Sequence, residues 1–149
     1  MKIEEEIQQK KFRNEYQKLA INLIYTYGWF HNRQRRFFSE YKITPQQYNV
    51  LRILKGQYPG AISTSEIRSR MLDKNSDASR IVDRLFSKDL VKKNTCTSDK
   101  RLVDVSISDT GLKLLSEIDH KTLELDNIFS TLEVEEAEEL NRILDKLRS

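Results

Sequence analysis

Apolar residues recur at steps of three and four from about Glu4 to Glu40, through Phe12, Tyr16, Leu19, Leu23, Ile24, Tyr27, Phe30, Phe37 and Phe38. That spacing predicts a long helix. Gln34 interrupts its stripe, and Gly28 costs about 1 kcal/mol relative to alanine in a helix interior. A helix of that span exceeds the diameter of a small domain, so it bridges subdomains or packs against a second chain. Thr44 and Pro45 open a second helix, with threonine as cap and proline where its missing N–H is no loss. It carries Tyr48, Val50, Leu51, Ile53 and Leu54, and Gly56, Pro59 and Gly60 end it. Ser63 and Glu66 form a capping box for a short helix holding Ile67, Arg70 and Met71. After a turn at Asp73-Lys74-Asn75 comes a helix with Ala78, Ile81, Val82, Leu85 and Phe86 on one face. Ser76, Asp77, Ser79, Arg80, Asp83 and Arg84 lie on the other.

The period then shortens. Leu90–Thr95 is predicted as a strand, Thr95–Lys100 as a polar turn, and Leu102–Ile107 as a second, alternating strand, which together make a β-hairpin. Ser108 caps a helix that continues through Leu112, Leu115, Ile118, Thr122, Leu125, Phe129 and Leu132. A last helix covers about Val134 to Arg148, with Ala137, Leu140, Ile143, Leu144 and Leu147 inward.

Composition narrows the class. A chain of 149 residues suits one domain with a real core. Four Gly and two Pro are too few for an all-β fold rich in tight turns. One cysteine excludes an internal disulfide framework and a cysteine-based zinc finger. His31 and His120 have no partner at metal-ligand spacing, so no metal and no cofactor is expected. No nucleophile elbow or glycine-rich loop supports an enzyme. No apolar run approaches a membrane span, and the charged start Met1–Lys11 has no signal core, so a cytoplasmic location is expected. Charge is uneven. Residues 74–101 carry eight Lys and Arg against four Asp and Glu, whereas residues 112–149 carry five against ten. A basic middle beside an acidic end fits a polyanion met by one part of the surface, though scattered solvated charge would give the same count.

Two short helices joined by a tight turn and followed by a hairpin make a helix-turn-helix with a β-wing. The second helix of such a pair can enter the major groove of duplex DNA. Ser76 and Ser79 can bond several bases, and Arg80 can reach guanine or phosphate. Asp77 could accept from cytosine N4 or act as a helix-terminal charge that orients Arg80. Lys74, Arg84 and Lys100 suit phosphate contacts. Any amphipathic helix has a polar face, so this helix alone does not decide. The hairpin adds Asp99, Lys100 and Arg101 at its tip, where an arginine pre-oriented by Asp99 can enter a narrow minor groove. An ordinary charged turn is the alternative.

The run from Asp99 to Gly111 resembles the wing motif of the MarR family of bacterial transcription regulators, D-x-R-x-x-x-x-x-L-T-x-x-G. Asp99, Arg101 and Gly111 match it, while Ile107 and Ser108 replace Leu and Thr. Ile43–Tyr48 resembles the family's L-T-x-x-Q-(F/Y) helix start, and Ser79–Leu85 its recognition-helix run. Lys88-Asp89-Leu90-Val91 stands where K-G-L-(V/I) is usual. The resemblance implies a mainly α fold with a small β-wing, intertwined as a homodimer through its N- and C-terminal helices. Residues 1–41 and 108–149 would be dimerisation helices and 42–107 the winged helix-turn-helix. It also implies sequence-specific binding to a pseudo-palindromic operator, repression, and release by a small aromatic or acidic effector. Tyr25, Trp29, Phe30, His31 and Arg33, dense in aromatics and followed by further arginines, would line the effector pocket, with ordinary core or dimer packing as the alternative. Cys96, in the wing loop among lysines, is a candidate thiolate or an incidental loop cysteine. The rival function is a winged helix used for protein–protein contact without DNA.

Overall fold

The computed structural model describes residues 1–95 and 103–149. Its elements run α1 (Ile3–Glu6), α2 (Glu15–Ser39), α3 (Pro45–Gln57), β1 (Ile62–Ser63), α4 (Thr64–Arg70) and α5 (Ala78–Ser87). There follow β2 (Val91–Thr95), β3 (Val103–Ile107), α6 (Asp109–Asp119), α7 (Thr122–Asp126), a 3-10 turn (Asn127–Phe129) and α8 (Val134–Arg148).

Local chemistry accounts for most boundaries. Thr44 accepts from the Gln47 N–H while the Gln47 side chain accepts from the Thr44 N–H, a reciprocal cap with Pro45 just inside. Ser63 and Glu66 do the same for α4, and these bonds hold the Glu66 carboxyl below its usual pKa. Ser108 caps α6 through the Gly111 N–H at 3.0 Å, and its hydroxyl donates to the Asp89 carbonyl at 2.6 Å. Asp89 itself has φ 59°. The Leu90 N–H reaches the Leu85 carbonyl and the Asp89 N–H reaches Phe86, which is the paired closure of a helix by a left-handed residue. Aspartate is among the few non-glycine residues that tolerate that conformation, so the departure from glycine here leaves the turn intact.

Three strands lie in the order β1-β3-β2, all antiparallel, with Ile62 opposite Val105 and Val91 opposite Ile107. The alternation of β3 sends Val105 and Ile107 inward, where they meet Val50, Leu51 and Leu54 of α3, Ile67, Met71, Val82 and Leu85. Each such fully buried aliphatic side chain contributes about 1.5–3 kcal/mol. Phe37 and Phe38 from the end of α2 and Leu115 and Ile118 from α6 complete the same core.

Several expectations fail. The first helix does not run from Glu4. Gln8 at φ 54° breaks it, and Asn14 starts α2 afresh by accepting from the Gln17 N–H. The helix predicted from Ser108 to Leu132 ends at Asp119, and α7 starts after a break at His120 and Lys121. β1 had no signal in the sequence beyond Ile62. Phe86 is half exposed, roofed by the Lys93 ammonium 5.3 Å from its ring centre. α8 has the predicted bounds but buries nothing within its own chain, with Leu140, Ile143 and Leu147 at 47%, 47% and 56% exposure.

Candidate DNA-binding surface and adjoining cleft

The start of α5 is built by short-range bonds. Asp73 accepts from the Asn75 N–H at 2.9 Å through its side chain and from the Ser76 N–H at 3.3 Å through its carbonyl. Asp77 then caps α5 by accepting from the Arg80 N–H at 3.1 Å. Asp77 is thus a helix-terminal charge whose bond goes to the backbone of Arg80 and not to its guanidinium. Because Ala78, Val82 and Leu85 point into the core, the helical period turns Ser79, Arg80, Asp83 and Arg84 to the outside.

Two shallow grooves flank this end of α5. One, of about 500 Å³, is lined by Thr64, Ser65 and Arg68 of α4 with Asn75, Ser76, Asp77 and Ser79. The other, of about 490 Å³, is lined by the capping Thr44 and by Gln46 and Gln47 of α3 with Ser76, Asp77, Arg80 and Arg84. Among the described residues neither Arg80 nor Arg84 is in an ion pair. The Lys74 ammonium donates to the Ser69 carbonyl at the end of α4. Lys93 of β2 pairs with Asp83 at 2.6 Å, tying the wing strand to α5. Cys96, Asp99, Lys100 and Arg101 lie outside the described residues.

Thr64, Ser65, Arg68, Asn75 and Gln46 share these grooves, yet sequence reasoning did not select them. Ser63-Thr64-Ser65-Glu66 explained itself as a cap, and only the tertiary fold brings the start of α4 beside the start of α5. The available signal was the polar Thr64-Ser65 pair at the start of the helix that precedes α5.

A separate cleft of about 300 Å³ opens between α2 and the winged helix. α2 supplies Tyr27, Phe30, His31, Gln34 and Phe38, and α3 supplies Tyr48, Asn49 and Arg52. Met71, Leu72 and Asp73 form its far wall. Tyr27 stacks on His31 at 5.6 Å, burial raises the Tyr48 phenol pKa, and Arg52 pairs with Asp119 at 3.0 Å. The structure does not bring the five expected effector residues together. Phe30 and His31 line this cleft, whereas Tyr25, Trp29 and Arg33, spaced by four, line a groove of about 450 Å³ on the other face of α2. There Arg33 sits over Trp29 at 4.6 Å, and the Tyr25 hydroxyl donates to Glu6 at 2.6 Å.

Against known proteins, residues 43–103 match the sequence profile of the MarR family. The chain is 27% identical over 134 residues to the HTH-type transcriptional regulator MhqR of Bacillus subtilis, covering 87% of this chain and 89% of that protein. A crystal structure of a MarR transcription factor from Planctomyces limnophilus superposes with a TM-score of 0.71 at 29% identity, covering 91% of this chain and 98% of the other. The matched stretch, residues 43–103, is of the MarR family. The chain's winged-helix fold is also that of a mutant E. coli MarR in complex with operator DNA, with a TM-score of 0.78 at 22% identity over 93% and 99% of the two chains. These relatives are transcription regulators. Among the described residues, no helix is long and apolar enough to cross a membrane, and no cluster of His, Cys, Asp and Glu could hold a metal.

Proposed function

We propose that the protein is a homodimeric repressor that binds duplex DNA at a pseudo-palindromic site in the cytoplasm. The observation that carries this reading is the start of α5, capped by Asp77 and presenting Ser76, Ser79, Arg80 and Arg84 outward between two polar grooves. Ser76, Asp77, Ser79 and Arg80 would face the major groove, and Lys74, Arg84 and Lys100 would contact phosphate. Arg101, positioned by Asp99, would enter the minor groove beside it. Repression follows if a bound dimer occupies promoter sequence and excludes polymerase.

The dimer reading rests on surface area. A folded monomer of 17.7 kDa exposes roughly 7,900 Å², from the size scaling of monomeric proteins. This chain exposes 11214 Å². The excess is well above the roughly 800 Å² per partner of a standard interface. It includes the apolar stripe of α8 and Tyr16, Leu19, Leu23 and Ile24 of α2. Residues 1–41 and 108–149 would form the dimer and 42–107 the DNA-binding part, with α6 shared because it also fills the winged-helix core.

Selection from a random duplex pool tests the function. The selected sites should be pseudo-palindromes with half-sites about one helical turn apart. On those sites Arg84→Ala should weaken all sequences about equally, while Arg101→Ala should lose most on A·T-rich flanks. Equal losses for both variants across all flanks would remove the wing-insertion reading, and a pool without enrichment would remove DNA recognition itself.

The cleft between α2 and the winged helix would hold the effector, a small aromatic compound with an acidic group. Stacked rings at Tyr27 and His31 and the guanidinium of Arg52 fit that chemistry. Effective regulation needs roughly 1–3 kcal/mol of coupling, and DNA must weaken the ligand by the same factor. A panel of phenolic and carboxylate compounds should yield one that raises the melting temperature and releases the selected duplex. Binders that leave DNA affinity unchanged would show a pocket without a switch. Trp29 faces the other side of α2, so Tyr27→Trp is the better fluorescent reporter for this titration.

A further inference from the structure

One wall of the cleft is the turn that leads into α5, so whatever holds that turn also sets where α5 begins. Local bonds shape the turn from within, through Asp73 to Asn75 and Ser76 and through Lys74 to Ser69. Met71 anchors its start in the core. Leu72 is different. Its side chain is 88% exposed and packs on little, yet its N–H is held by another helix, donating to the Asn49 carboxamide oxygen of α3 at 3.0 Å. Asn49 stands next to Val50, which is fully buried, so its backbone is fixed by the core. From Leu72 only four residues intervene before the capping Asp77. A shift of the turn therefore passes directly into the start of α5, where Ser76, Ser79 and Arg80 lie.

We infer that Asn49 is a positioning residue for sequence recognition: its bond to the Leu72 N–H fixes the turn before α5, and its place in the cleft wall lets an occupant compete for the same carboxamide. The inference rests on the DNA-binding reading above. It does not require Asn49 to touch DNA, because neither groove beside α5 includes it. Losing the bond leaves the Leu72 N–H open to water, so stability changes little. What changes is the alignment of hydrogen-bonding groups with base edges, which favours the preferred sequence over others, whereas phosphate attraction is indifferent to sequence.

The test compares wild type with Asn49→Leu, Asn49→Ala and Asn49→Asp. The probes are the duplex that wild type selects from a random pool and a scrambled duplex of the same composition. Asn49→Leu and Asn49→Ala are expected to lower the ratio of specific to non-specific affinity by roughly tenfold, within the range for residues acting on a site they do not contact. Hydrogen exchange at the Leu72 amide should quicken in both. Asn49→Asp keeps the acceptor oxygen and should retain both the ratio and the protection, its added charge weakening both duplexes alike. If either folded variant lacking the acceptor exchanges quickly at Leu72 but keeps the wild-type ratio, the inference is overturned. It is equally overturned if Asn49→Asp loses the ratio while protecting Leu72. A wild type that selects no preferred site contradicts the DNA-binding reading itself, whereas a selected site with an unchanged ratio in the variants contradicts only the role of Asn49.

Discussion

Leu140→Asp combined with Ile143→Asp is expected to convert the protein to a monomer that remains folded but binds its site about 10²- to 10⁴-fold more weakly. Both side chains lie on α8, which buries no residue against its own chain, so charge there costs the isolated protomer little. In a dimer the same carboxylates would enter an apolar interface without partners, where an unpaired buried charge is strongly unfavourable. Affinity would fall because, in the proposed dimer, each protomer reads one half-site, and the second half-site would no longer benefit from being tethered to the first. Linking two binding modules raises overall binding by about 10²–10⁴-fold without any new contact, which sets the size of the loss. Sedimentation and duplex titration on the same sample check it. A variant that stays dimeric would move the interface elsewhere, and a monomer with wild-type affinity would contradict the two-half-site account.

Gly111→Ala should lower stability by about 2–3 kcal/mol, the upper part of the usual range for overpacking. Helix propensity alone predicts the reverse, since Gly111 lies within α6 and alanine is favoured there by about 1 kcal/mol. The packing decides the sign. A Cβ at this position would stand 2.3 Å from the Leu90 carbonyl oxygen and 2.7 Å from Cγ1 of Ile107. The carbonyl belongs to the backbone that joins α5 to β2 and accepts from the Ser108 N–H, so it cannot swing away as a flexible side chain would. For a chain of this length the cost corresponds to a melting temperature lower by roughly 5–10 °C. Thermal unfolding of the variant checks it, and an unchanged or higher midpoint would show that α6 can shift without loss.

Features fixed by residues close in sequence were legible. The Thr44 cap, the Ser63 capping box, the Ser108 cap, the alternation of Val103, Val105 and Ile107, and both ends of α8 follow from local bonding and period. Features fixed by distant partners were not. β1 is two residues long and exists because Ile62 and Ser63 find β3. The break after Asp119 interrupts a stripe whose apolar spacing continues across it, so periodicity could not reveal it, whereas the polar run Gln8-Gln9-Lys10-Lys11 before Phe12 did mark the first break. The candidate site shows the same division. Ser76, Asp77, Ser79, Arg80 and Arg84 were selected from one helix and do lie together, while Thr64, Ser65 and Arg68 join them only through folding. The aromatic group is divided for a geometric reason. Density in sequence over Tyr25–His31 wraps around α2, so neighbours along the chain separate onto opposite faces and different cavities.

That the outward face of α5 and the wing serve a nucleic acid, not a protein, is a claim that the salt dependence of duplex binding decides. If each protomer neutralises about three to five phosphates, log K against log salt should fall with a slope of roughly −5 to −9 per dimer. A flat plot would contradict the claim and favour a winged helix that serves protein contacts.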